Sequence, residues 1–157
     1  MGQRRLIRHN NKIIHRQRIE FPAVSPGMII QFAYREPDVF DKFPLLLVLQ
    51  RETIRGGAGG LLNGLNLNYL YDTRIRFLKT LLSKVAPISE SKRASGGKKF
   101  KKPYNKFGLS STYRGVNSSK NVFKKIIGPR IIKTDDCYRS YKEGKMKNLQ
   151  VCYYNFD

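Results

Sequence analysis

The stretch GMIIQFAYREPDVFDKFPLLLVLQ, residues 27–50, decides the fold. Its first part alternates: Met28, Ile30, Phe32 and Tyr34 fall on one side, and Ile29, Gln31, Ala33 and Arg35 on the other. A period of two is that of a half-buried strand. Glu36, Pro37, Asp38 and Asp41 then make a polar surface turn. Residues 44–49, PLLLVL, are continuously apolar. That run is too short for a good helix and suits a strand covered on both faces. Upstream, Pro26-Gly27 is a turn signal.

Downstream, residues 55–60 read RGGAGG. A phosphate-cradling loop would end in Gly-Lys-Ser/Thr and open a helix. This one does neither, so it reads as a hairpin connection. In LLNGLNLNYL, residues 61–70, Leu65, Leu67 and Tyr69 share one face, and Asn66 and Asn68 the other. This is a third strand, with Gly64 as a bulge or a point of close approach. Asp72 is placed to cap a helix over 73–85, ended by Pro87. Ile75, Leu78, Leu82 and Val85 form its apolar stripe, widened by Phe77 and Leu81. Near the C-terminus, Ile126, Ile127, Ile131 and Ile132 flank Gly128-Pro129 as two short strand-like pieces. Tyr138–Tyr141 reads as a turn or a helical piece, and residues 149–156 as a closing strand. The fold class is β-rich α+β: a small sheet curled towards a barrel, with one packed helix. Residues 25–88 and 121–157 make up that single domain.

The rest of the chain is dominated by charge. Of its 157 residues, 31 are Lys or Arg and 11 Asp or Glu, a net of +20. Such an excess repels itself in a compact state, and an anionic partner relieves it. Residues 1–20 carry +5 and residues 89–133 carry +12, while residues 134–157 are neutral. The first segment is read as a basic arm over residues 1–24, bearing Arg4, Arg5, Arg8, Lys12, Arg16 and Arg18. The second contains a flexible insertion over residues 89–120, rich in Ser, Gly, Lys and Asn and without helix or strand period. Its cations include Lys92, Arg93, Lys98, Lys99, Lys101, Lys102, Lys106 and Arg114, followed by Lys124 and Lys125. Aromatic residues are interleaved with them, among them Tyr104 and Phe107. Rings that stack on bases beside cations that meet phosphates make a nucleic-acid-binding pattern. A protein interface and an idle tether are the competing readings of the same segment.

Other function classes find less support. The 40% hydrophobic content, with nine Phe and nine Tyr, sustains a core. No apolar run is long enough to span a membrane and no apolar stretch follows the basic N-terminus, so neither a membrane span nor a signal peptide is expected. His9 and His15 read as surface histidines, and Cys137 and Cys152 as reduced, partly buried thiols. Two cysteines and two separated histidines do not make a zinc site. Asp38 with Asp41, and Asp135 with Asp136, read as a surface turn and a helix start. No catalytic residue, metal ligand or cofactor is assigned, and the chain is read as non-enzymatic.

Two resemblances follow from these residues. Phe43-Pro44-Leu45, then Gly64-Leu65-Asn66-Leu67 with Tyr69-Leu70, and Tyr138–Tyr141 resemble a family of small proteins of large contractile-tailed phages. The likeness spans residues 27–85 and 136–156. It implies a virion or DNA-packaging role, a label of DNA-end protector in some relatives, and a location in the virion or host cytoplasm. DNA and other virion proteins are the implied partners. The basic arm and insertion lie outside it. The alternative it leaves open is a structural head, neck or tail subunit whose basic arms bind neighbouring subunits. Residues 27–30 followed by residues 44–49 are more distantly similar to the start of PemK/MazF-type ribonucleases, which implies an SH3-like barrel and, as a further alternative, ribonuclease activity.

Overall fold

The structure is a computed structural model that describes residues 6–53, 60–84 and 137–156. Six strands form one antiparallel sheet: β1 (Ile13–Arg18), β2 (Ile29–Tyr34), β3 (Leu45–Thr53), β4 (Gly60–Asn66), β5 (Tyr138–Lys142) and β6 (Met146–Tyr154). A single α-helix among the described residues, α1 (Asp72–Lys84), follows β4. The spatial order is β1-β6-β2-β3-β4-β5. The β-rich α+β class read from the sequence holds at this level.

The alternation in β2 and the continuous run in β3 give the sheet two apolar faces. Ile29, Leu45, Leu47 and Leu49 join one core, and Ile30, Phe32, Tyr34, Leu46 and Val48 the other. Ile75 and Leu78 of α1 pack on the first face. The second face is closed by Val24, with Ile19, Phe21 and Met28 at its margin. The turn before β2 forms as its sequence demands. Met28 N donates to Ser25 O, and Gly27 adopts φ 94°, which glycine takes without strain.

The sheet curls strongly. β5 and β6 lie four steps apart in strand order, about 19 Å in a flat sheet. Yet only the 3₁₀ turn Glu143–Lys145 joins them, and a chain from residue 142 to 146 reaches at most about 14 Å. The second apolar face is therefore the inside of the curl. There Tyr141 of β5 meets Phe32 and Tyr34 of β2 edge-on, at 5.0 and 4.9 Å between ring centroids. The Lys142 amide donates to the Tyr34 hydroxyl across the same gap. Local irregularities accompany this curvature. The β3–β4 register slips between Val48 and Gln50. At Gly64, opposite Val48, a Cβ would run into the Leu47 carbonyl and lie 2.8 Å from Leu46 Cγ, so this glycine is a point of close approach. Asn148 holds φ 56° where β6 slips against β2.

Several elements differ from the sequence reading. Residues 13–18, expected within a separate arm, form the edge strand β1 paired with β6. An edge strand needs only one pairing side, which explains why IIHRQR carries so little apolar signal. Tyr138–Tyr141, expected as a turn or helical piece, belongs to β5. The third strand stops at Asn66, and Leu67–Tyr69 is a 3₁₀ turn started by the Asn66 side chain, which accepts from Asn68 N. Phe77, expected to widen the helical stripe, is exposed. The strand-like pieces around Gly128-Pro129 and the loop over 54–59 lie outside the described residues.

Candidate nucleic-acid interface

The surface that combines cations with exposed rings is organised by Asp41. This residue, expected in a surface turn, is 1% exposed. Its Oδ2 accepts from Asn66 Nδ2 and Asn68 Nδ2, both at 2.9 Å. Its Oδ1 accepts from Arg8 Nη1 at 2.6 Å and from the Phe43 amide at 3.0 Å. Burial pushes the carboxyl pKa up, but the hydrogen bonds from Asn68, Asn66, Phe43 and Arg8 together hold it below its ordinary value. Asn66 and Asn68, which the alternation places on the face opposite Leu65 and Leu67, are buried because their amides have Asp41 as acceptor.

This hub fixes the 35–43 loop. The Phe43 carbonyl accepts from Arg8 Nη1 at 2.9 Å and Asn68 Nδ2 at 3.1 Å. Lys42 Nζ closes the loop on the Glu36 and Pro37 carbonyls. With its backbone pinned, the loop projects Phe40 and Phe43 outwards, 61% and 55% exposed. Phe40 lies 6.4 Å from the Tyr69 ring, and the Arg139 guanidinium sits 4.9 Å over that same ring. A cavity of about 270 Å³ opens beside Phe40, between the loop and β5.

A second basic region lies on β1. Arg16 and Arg18 are exposed on this edge strand. Arg16 Nε donates to Gln31 Oε1 at 3.2 Å, and Gln31 donates in turn to Asn10. Lys12 precedes the strand, and its carbonyl accepts from Asn155 N. Of the cations singled out in the sequence, Arg8, Lys12, Arg16 and Arg18 are thus placed. Arg8 departs from expectation, since one of its nitrogens serves Asp41. Arg4, Arg5, Lys92, Arg93, Lys98, Lys99, Lys101, Lys102, Lys106, Arg114, Lys124 and Lys125, with Tyr104 and Phe107, lie outside the described residues. Phe40, Phe43, Tyr69 and Arg139 are assigned no binding role by the sequence; the polar turn signal masks the two phenylalanines, because only the tertiary hub exposes their rings.

His9, expected on the surface, is buried, with Nε2 donating to the Leu70 carbonyl and Nδ1 3.7 Å from Asp72. His15 stacks on Tyr153 at 5.2 Å. Cys137 and Cys152 are buried, and neither forms a disulfide. Burial pushes the Cys152 thiol up to about 12 against the weaker pull of Arg16, which leaves it a poor nucleophile. Among the described residues no group of three or more His, Cys, Asp or Glu could hold a metal ion, and no helix is long and apolar enough to cross a membrane. The chain matches no family model, no curated protein and no solved structure.

Proposed function

We propose that this chain is a non-enzymatic phage protein that binds nucleic acid electrostatically, in association with the virion or with DNA packaging. The observation that carries the binding reading is the charge and its layout. The described residues hold +8 of the +20, and the segments outside them hold +12. Exposed Arg16 and Arg18 on one sheet edge extend the basic character of residues 1–12 into the folded body. The phage reading rests on the motif resemblance. Its segments meet around Asp41, which binds Asn66 and the Phe43 amide, while Tyr141 receives an Asn66 amide contact at 3.4 Å. The curl of the sheet, with its three-residue link between β5 and β6, supports assignment to the SH3-like barrels.

One observation favours the protein-contact alternative. β1 is an edge strand with Ile14 43% exposed, a surface on which a neighbouring subunit could add a strand. Deleting residues 91–120 separates the readings. Loss of DNA binding with the fold retained is the expected result. Retained DNA binding with failed particle assembly would favour the structural subunit.

A further inference from the structure

We propose that the cavity between the 35–43 loop and β5 receives an unpaired nucleobase, so that the protein prefers single-stranded nucleic acid to duplex. This inference rests on the nucleic-acid reading and names the form of the ligand.

Three observations converge on the cavity. First, Arg139, Tyr69 and Phe40 form a short ladder of planar groups: guanidinium over ring at 4.9 Å, then ring beside ring at 6.4 Å. The ladder ends in Phe40, whose ring is 61% exposed. A base stacked there continues the series, and every base has a π-face, so the contact is tolerant of sequence. Second, the exposure of Phe40 is built in. The loop that carries it is tied to the buried Asp41 hub and closed by Lys42, so its backbone is held where the Phe40 ring stands at the surface. Exposing a large apolar ring in this way costs stability, and a partner that covers it recovers the loss. Third, the cavity holds about 270 Å³, just under the volume of pockets that take drug-sized molecules, and suits one ring system. Asp38 lines it and offers a carboxylate to an exocyclic amine.

Charge complementarity selects a polynucleotide as the occupant. The chain as a whole carries +20, so a base offered on a polyanion is concentrated at the protein in a way that a neutral aromatic group is not, while the cavity lining itself sets Arg139 against Asp38 and Asp41. A paired base is stacked between its neighbours inside a duplex and cannot enter. Phe43, on the other side of the same loop and 55% exposed beside Lys42, provides a second ring for an adjacent base.

The test is anisotropy of a labelled DNA single strand, the same strand carrying abasic sites, and the matching duplex. The abasic strand has the same phosphates and lacks the rings. The intact single strand is expected to bind about tenfold or more tightly than the abasic one, and Phe40→Ala to remove that difference. Phe40 is exposed, so the variant keeps the core intact. Equal affinity for the intact and abasic strands, with steep salt dependence retained, would overturn the base pocket while leaving electrostatic binding standing. Absence of binding to any nucleic acid would overturn both. Displacement of the strand by an equimolar nucleoside monophosphate would instead mark a small-molecule site and also contradict the proposal.

Discussion

Asp41 shows how one side chain can set the form of a surface. A carboxylate taken out of water costs several kcal/mol unless its oxygens are satisfied, and here four donors converge on it. Those donors come from the N-terminal segment, from its own loop and from the end of β4, so the residue ties three stretches of chain together. Asp41→Ala would take one acceptor from each of two buried amides, Asn66 and Asn68, and is expected to cost about 2–4 kcal/mol in chemical denaturation. The Arg8 contribution within that total is small, since Arg8 is 40% exposed. The pH dependence has a definite sign. The folded pKa lies below the ordinary 3.8, so the stabilisation is fully present above that value and is lost as pH falls through the lower folded one. Asp41→Asn should therefore flatten the acid limb of the stability curve below about pH 4, which a series of denaturation midpoints would read. An unchanged acid limb would mean that Asp41 is not the pin described.

At the scale of elements, α1 provides the clearest contrast between pattern and packing. Ile75 and Leu78 are buried against the sheet, whereas Phe77 is half exposed. Leu78→Ala is expected to cost about 2–5 kcal/mol, and Phe77→Ala to fall within about 0.5 kcal/mol of the parent by thermal or chemical unfolding. Comparable losses at both positions would contradict the packing. The strands that carry their own signal were legible in the sequence: the alternation of Ile29–Tyr34, the apolar run of Leu45–Leu49 and the closing strand ending at Tyr154. β1 and β5 were not legible. Both are edge strands whose residues need only one neighbour, and their cations and tyrosines resemble loop sequence. Asn66 and Asn68 alternate as a solvated strand face would, yet they turn inward because a buried carboxylate awaits them. The site was half legible for a related reason. Charge excess can be counted in a sequence, but the exposure of Phe40 and Phe43 depends on a hydrogen-bond hub assembled from residues 8, 41, 66 and 68.

At the scale of the molecule, the described residues bear a positive excess of their own, and the remaining +12 lies in the sequence outside them. The net of +8 on the described residues shows that the folded body shares in the electrostatics. Under the proposed reading a polyanion relieves such a field, because each neutralised phosphate releases condensed counterions. Affinity for DNA measured against salt concentration tests this most directly. If six or more cations engage phosphates, affinity should fall on the order of 10³-fold between about 50 and 200 mM salt. An affinity that stays flat across that range would contradict the account.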